Sequence, residues 1–110
     1  SGNAQIFLVR STNNGQSFGN EIQVTNAIRG AQVPQIVASG DTVAIAYEGR
    51  DINYKYQIFV TLSTDAGLNW STPVQITNTT AGARWCDIAM KNQSLYVWWN
   101  DQTGTNYDHL

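Results

Sequence analysis

The stretch Ser63-Thr64-Asp65-Ala66-Gly67-Leu68-Asn69-Trp70 combines an acid, a glycine and a tryptophan within eight residues. Side-chain oxygens of Ser63 and Asp65 can bond turn amides, as in Asx- and ST-turns, and Gly67 can supply a positive φ. The indole of Trp70 can then fold back over the turn. The stretch therefore predicts a tight turn between two β-strands, and its spacing leaves open whether Asp65 also has a chemical role.

A diverged copy of this stretch begins 52 residues earlier, at Ser11. In the copy, Ser11, Asn13, Gly15 and Phe18 stand where the later stretch has Ser63, Asp65, Gly67 and Trp70. The same offset aligns, without a gap, Gln5-Ile6-Phe7 with Gln57-Ile58-Phe59 and Gln23-Val24-Thr25-Asn26 with Gln75-Ile76-Thr77-Asn78. A constant period of this size indicates a repeat protein. We assign repeat 1 to about 1–52, repeat 2 to about 53–104, and the start of a third to 105–110, within a single fragment.

Each repeat contains four strand-like segments separated by turn residues, and none has a sustained helical period. The predicted strands are Ala4–Ser11, Ile22–Asn26, Gln32–Ala38 and Val43–Glu48, followed by Tyr56–Ser63, Val74–Asn78, Trp85–Met90 and Leu95–Asn100. Several are apolar at consecutive positions, which is typical of strands covered on both faces. The sequence thus predicts an all-β protein built from propeller blades of four antiparallel strands.

Composition argues against several classes of partner. The 110 residues suffice for one small domain, and their net charge of -2 includes no basic cluster, so we expect neither nucleic acid nor membrane as partner. We expect no signal peptide in this chain. The sole histidine, His109, and sole cysteine, Cys86, give no basis for a metal site or a disulfide. We expect no cofactor, and Cys86 is predicted to be a small buried thiol.

Ser63–Trp70 resembles the Asp-box (S-x-D-x-G-x-x-W), or BNR repeat, of sialidases and other β-propellers, and Ser11–Phe18 resembles a degenerate copy. The resemblance implies an extracellular or cell-surface parent protein. It also implies that this turn joins the third and fourth strands of a blade, away from the ligand face. Asn13 could not act as a general acid, which favours a structural role for the turn.

Mapping the strands A to D of such a blade onto the chain gives the order C-D, A-B-C-D, A-B. We therefore expect a homo-oligomer in which half blades of different copies join. Three copies would give the favoured six-bladed propeller, and four would give eight blades. Residues 108–110 align with 4–6, so tail and amino terminus would compete for one strand position. The alternative is a piece of a longer propeller.

The resemblance places ligands near the connections Ala27–Ala31, Gly49–Lys55, Thr79–Arg84 and Asp101–Asn106. The candidate binding residues are Arg29, Arg50, Arg84, Trp85, Asp87 and Asp101. An aromatic face with polar neighbours suits a carbohydrate, and a protein ligand is also open. In the competing interpretation Trp85 fills the core between blades and Arg84 is merely solvated. We assign no catalytic residue; the alternative is a fragment or composite-site form of a sialidase-type glycoside hydrolase, which would need a closely spaced carboxylate pair.

Overall fold

The computed structural model describes residues 3–102, and every regular element in that range is a β-strand. The segment 105–110, predicted to start a third repeat, lies outside the described residues. The strands are β1 (Phe7–Leu8), β2 (Ile22–Gln23), β3 (Ala31–Ser39), β4 (Thr42–Arg50), β5 (Tyr56–Ser63), β6 (Val74–Gln75), β7 (Ala83–Lys91) and β8 (Ser94–Asp101). Within 3–102 there is no helix of the length and apolarity needed to cross a membrane.

These strands form three antiparallel sheets. The middle sheet has the order β3-β4-β5-β6, and the flanking sheets are the pairs β1-β2 and β7-β8. The predicted all-β, antiparallel class is confirmed, and the strands occur in the predicted groups of two, four and two. In the middle sheet Tyr47 lies opposite Phe59, and their rings stack with centroids 5.6 Å apart.

Three strands are shorter than predicted, and the short ladders β1-β2 and β5-β6 both end where a threonine hydroxyl replaces a backbone acceptor. β1, β2 and β6 have two residues each, whereas the sequence predicted Ala4–Ser11, Ile22–Asn26 and Val74–Asn78. The Ile6 amide donates to Thr25 Oγ1 at 3.0 Å instead of to a carbonyl. In the second repeat Ile58 N donates to Thr77 Oγ1 at 2.9 Å. Both repeats thus end the ladder in the same way.

A β-bulge interrupts the first strand of each complete hairpin at the same repeat position. The register shifts between Gln32 and Gln35 in β3 and between Arg84 and Asp87 in β7. Val33 and Trp85 within these bulges have φ of 53° and 61°. Positive φ is costly for a β-branched or bulky residue, so each bulge stores backbone strain.

The middle sheet is covered on both faces, as the apolar runs predicted. Alternate residues of β4 enter two separate core clusters: Ala44 and Ala46 pack towards β7, whereas Ile45 and Tyr47 pack towards β1 and β2. Cys86 lies in the first cluster, and burial followed by the charge of Glu48 raises its thiol pKa to about 11. The predicted buried thiol is confirmed.

Candidate functional site

In the turn between β5 and β6, Ser63 and Asp65 bond the backbone through their side chains. Ser63 Oγ accepts from the amides of Asp65 (3.3 Å) and Gly67 (2.9 Å) and donates to Asp65 Oδ1 at 2.7 Å. Asn69 donates to Asp65 through Nδ2 (2.7 Å) and its amide (2.9 Å). These bonds, with that from Ser63, lower the Asp65 pKa to about 2. Asp65 is therefore ionised at neutral pH and cannot act there as a general acid.

Gly67 and Trp70 close the same turn. Gly67 has φ of 93°, and a Cβ added there would lie 3.1 Å from Leu8 Cδ2. Trp70 Nε1 donates to the Gly67 carbonyl at 2.9 Å, so the indole folds back over the turn. Both residues therefore serve the turn conformation itself.

The turn of the first repeat keeps this geometry without a charge. Ser11 Oγ accepts from the amides of Asn13 (3.2 Å) and Gly15 (2.8 Å). Asn13 Oδ1 accepts from the Ser17 amide at 3.0 Å, and Asn13 Nδ2 donates to Ser17 Oγ at 2.8 Å. The ring of Phe18 has no N–H to donate, unlike the indole of Trp70, and it is exposed. An amide thus supports the turn as a carboxylate does.

Glu48, near the end of β4, is fully buried and accepts hydrogen bonds from β7. Arg84 donates to Glu48 Oε1 through Nε (3.1 Å) and Nη2 (3.0 Å). The Trp85 amide donates to Oε2 at 2.8 Å. Since a buried carboxylate is tolerated only when paired and hydrogen-bonded, this contact joins the middle sheet to β7. Arg84 is thus more than a solvated cation.

Two of the predicted arginines converge on Tyr56. The guanidinium carbon of Arg84 lies 4.1 Å from the Tyr56 ring centroid and 4.4 Å from that of Trp85. Arg50 packs on Tyr56 at 4.9 Å and donates to its hydroxyl at 2.8 Å. Cation–π contacts of this kind hold both guanidinium groups against the aromatic ring.

Arg29 belongs to a neighbouring group of polar contacts. It packs on Tyr54 at 5.7 Å. Asp51 accepts from the amides of Asn53 and Lys55 and from Gln57 Nε2. Burial raises the Asp51 pKa, but these hydrogen bonds and the Arg29 charge outweigh it, so the pKa is lowered.

The two predicted acids, Asp87 and Asp101, do not pair with arginine within 3–102. Asp87 Oδ1 accepts from the Ile88 amide at 2.8 Å, and Asp101 Oδ1 accepts from Trp99 Nε1 at 2.9 Å. Both side chains are exposed. The predicted set therefore divides: Arg50 and Arg84 pack on Tyr56, Trp85 packs on Arg84, and the two acids contact other residues.

A cleft of about 360 Å³ lies beside Tyr56 and Trp85. Its lining consists of Tyr54, Lys55, Tyr56, Ala81, Gly82, Arg84, Trp85 and Gln102. Gln102 is 8% exposed, and its side-chain nitrogen has no hydrogen-bond partner among residues 3–102. Its backbone amide donates to the Gly82 carbonyl at 2.9 Å, which anchors the residue.

Sequence reasoning missed Glu48, Tyr56 and Gln102. Glu48 offered a signal, because it is a charged residue directly after the apolar run Val43–Tyr47. Gln102 offered a weaker one, since it replaces Arg50 in the repeat alignment. In the described range no group of three His, Cys, Asp or Glu side chains could hold a metal ion.

No protein-family model, curated protein or solved structure matches the chain.

Proposed function

We propose that this chain is a non-catalytic β-propeller module with Asp-box turns, which assembles with copies of itself. In this proposal the β7-β8 pair of one copy joins the β1-β2 pair of the next to complete a four-stranded sheet. Three copies close a ring of six such sheets by repeating one heterologous contact.

The observation that carries the proposal is the exposure of β8. Ala46 in β4 is 0% exposed, whereas its repeat counterpart in β8, Trp98, is 52% exposed. Trp99, the counterpart of the buried Tyr47, is exposed as well. Large apolar side chains on an unpaired strand edge favour association with another chain.

The edge of β1 complements that of β8. In the middle sheet, Tyr47 and Ile45 of β4 lie opposite Phe59 and Thr61 of β5. Shifting this register by one repeat places Trp99 opposite Phe7 and Val97 opposite Val9. Phe7 and Val9 are both exposed in the single chain. Their pairing with β8 of another copy would reproduce the stacked Tyr47–Phe59 pair as Trp99–Phe7.

The exposed face of β3 is the surface on which the joined sheet would pack. Ile88 in β7 is 6% exposed because the middle sheet covers it, whereas its counterpart in β3, Ile36, is 50% exposed. In a ring, Trp98 of one copy would cover Ile36 of the next.

The polar contact between neighbouring sheets is charged within one chain but would be neutral between two copies. Within the chain it is the Glu48–Arg84 pair. The repeat counterparts are Asn100 and Gln32, which are amides. The contact between copies would then join two amides with no charge to desolvate, which lowers the cost of association.

The lowered pKa values of two aspartates support a non-catalytic role. Asp51 and Asp65 both have lowered pKa values, which is the wrong direction for a general acid. The buried Glu48 carboxylate is bonded to Arg84 and to the Trp85 amide. A glycosidase needs an acid with a raised pKa near a second carboxylate.

Disulfide trapping tests the proposal. Directly opposite residues on paired strands lie within the Cα separation of a disulfide. The double variant Val9→Cys/Val97→Cys should therefore form covalent dimers and trimers under mild oxidation, resolved on a non-reducing gel.

The matched control is Val9→Cys/Tyr96→Cys, in which the second cysteine is shifted by one residue to the other face of β8. It should remain monomeric on the same gel. A purely monomeric Val9→Cys/Val97→Cys protein, or equal cross-linking of both variants, would contradict the proposed register.

A further inference from the structure

The turn between β5 and β6 is docked on the rest of the chain, whereas its copy in the first repeat is exposed. The Ala66 amide donates to the Asp41 carbonyl, in the turn between β3 and β4, at 2.8 Å. Arg10 Nη1 donates to the Ala66 carbonyl at 3.4 Å, and the neighbouring Gly67 is buried. Residues 12–18 of the first repeat are all exposed. The two turns therefore share an internal hydrogen-bond pattern but differ in docking.

Both docking contacts have counterparts in the second repeat, and these lie at one cleft. One repeat further along the chain, Gln93 corresponds to Asp41 and Leu62 corresponds to Arg10. Gln93 and Leu62 both line a cleft of about 260 Å³ between the middle sheet and the β7-β8 pair, which we call the turn cleft. Two separate contacts of the docked turn thus indicate the same surface as the place for another such turn.

The backbone on both sides of such a contact already has the docked conformation. In the docked pair of turns, Gly40 and Ala66 have φ of 59° and 63°. Their counterparts, Asn92 beside the turn cleft and Asn14 in the first-repeat turn, have φ of 58° and 61°. Positive φ is uncommon outside glycine, so its agreement in two separate turns is specific. The first-repeat turn can therefore dock at the turn cleft without rearrangement, which lowers the cost of binding.

The turn cleft and the first-repeat turn also match in charge. Ser11–Phe18 contains no charged residue. The described lining of the turn cleft has none either, and it includes the apolar Leu62, Met90 and Leu95. Leu62 is 39% exposed in the single chain. Contact between two neutral surfaces has no charge to desolvate, and it would cover this leucine.

The contact between copies would be less crowded than the one within the chain. A Cβ at Gly67 would lie 3.1 Å from Leu8 Cδ2. Leu8 corresponds to Val60, which has no δ carbon, and Gly67 corresponds to Gly15. The steric contact that limits Gly67 is therefore not expected at Gly15, either in the single chain or in the assembly.

We propose that the turn cleft binds the Ser11–Phe18 turn of a second copy of this chain, with the Asn14 amide donating to the Gln93 carbonyl and the turn covering Leu62. This inference rests on the proposed assembly and adds to the pairing of β8 with β1 a second contact, made by a turn. A ring held by strand pairing alone would leave that turn exposed, so the two contacts are separately measurable.

Disulfide trapping with an internal calibration tests this contact. Asp41→Cys/Ala66→Cys should close a disulfide within one chain, because the docked turn brings these residues together. Asn14→Cys/Gln93→Cys should form the equivalent bond between chains and give covalent dimers and trimers on a non-reducing gel. The matched control is Asn14→Cys/Asp41→Cys, which should give no more covalent oligomer than the unchanged chain, because Asp41 already contacts the turn of its own chain.

Hydrogen exchange of the unchanged chain, followed by NMR, detects the same contact without a substitution. The Asn14 amide should exchange about tenfold more slowly, or slower still, at a concentration where the chain assembles than at one where it is monomeric. The Ala66 amide should be protected at both concentrations. This readout decides if Asp41→Cys/Ala66→Cys does not oxidise.

Light scattering of the same samples separates this inference from the proposed assembly. In an assembled chain, an unprotected Asn14 amide would overturn the inference and leave the assembly standing. The absence of an Asn14→Cys/Gln93→Cys cross-link, where Asp41→Cys/Ala66→Cys does oxidise, would do the same. A chain that stays monomeric at tens of micromolar would overturn both.

Discussion

The second strand of each repeat, β4 and β8, occupies the same place in two different surroundings. β4 has a strand on each side and a sheet on each face, and its interior residues are buried. Within the described part of the chain β8 pairs only with β7, and most of its residues are exposed. Yet β8 is the more aromatic of the two, with Tyr96, Trp98 and Trp99.

The difference shows that neighbours, rather than strand composition, decide burial in this repeat. Ala44 and Ala46 are small because β7 packs closely on them. Tyr96 and Trp98 at the same positions of β8 have no such neighbour within residues 3–102. The proposed assembly supplies that neighbour from a second copy.

The largest expected effect comes from placing a charge at the same position of both strands. Ala46→Asp buries an unpaired carboxylate in a fully covered site and should cost about 4 kcal/mol or more of unfolding free energy. Urea denaturation followed by circular dichroism measures this. We expect that variant to be largely unfolded.

The companion variant Trp98→Asp should instead keep the folded spectrum and lose assembly. Its association constant should fall about thirtyfold or more, as for a central aromatic interface residue. Sedimentation velocity measures this loss, and Trp98→Phe serves as the conservative control. An unfolded Trp98→Asp chain would show that β8 is already part of a single-chain core.

The next effect concerns the polar contact between sheets. Glu48→Ala leaves Arg84 and the Trp85 amide without their acceptor and should lower the unfolding free energy by about 3 kcal/mol. Chemical denaturation at one protein concentration measures it. Gln93→Ala, at the exposed β7–β8 turn, is the surface control and should change stability by about 0.5 kcal/mol or less. A loss no larger than that of the control would mean that the pair contributes little.

A smaller difference is expected between the two turns. Gly67→Ala puts a Cβ at positive φ and against Leu8, whereas a Cβ at Gly15 has no atom within 4 Å. Both variants carry the left-handed backbone cost of about 1 kcal/mol, and only Gly67→Ala adds the contact. Thermal unfolding should therefore rank Gly67→Ala as the less stable of the two. Equal stabilities would show that Leu8 moves aside freely, and the reverse order would contradict the ranking.

The smallest effect is the pH dependence of the second turn. The Asp65 pKa is about 2, below its ordinary value of 3.8, so the stabilisation from this carboxylate is complete above pH 3.8 and is lost as the pH falls towards 2. Asp65→Asn removes this titration, but it also puts the new side-chain NH₂ group against the side-chain NH₂ group of Asn69, which now donates to Asp65. Asp65→Asn/Asn69→Ser recreates the arrangement of Asn13 and Ser17. Urea midpoints between pH 5 and pH 2 should fall less steeply for the double variant than for the unchanged chain; equal slopes would contradict the role of Asp65.

Repetition made much of the fold predictable. The alignment of Gln5 with Gln57 and of Thr25 with Thr77 corresponds to two copies of one hydrogen-bond network, in which each glutamine side chain bonds its threonine. The two-residue length of β1 does not follow from the repeat pattern, because within residues 3–102 β1 pairs with β2 alone, whereas its counterpart β5 also pairs with β4. The strand grouping followed from a constant period.

The site was less predictable, since its contacts join different repeats. Glu48 meets Arg84 across 36 residues, and no local spacing indicates that pair. The bulge at Trp85 also could not be predicted from the alternation of apolar and polar residues, because that pattern assumes a regular strand. The candidate arginines were identified from their loops, but the ring they share, Tyr56, was not.

The mass of the chain in solution tests self-assembly most directly. Size-exclusion chromatography with light scattering, at tens of micromolar chain, should give three times the 12.1 kDa of one copy. Circular dichroism of the same peak should show β-structure. A folded, stable species of 12.1 kDa at that concentration would contradict the proposal that another copy covers β8.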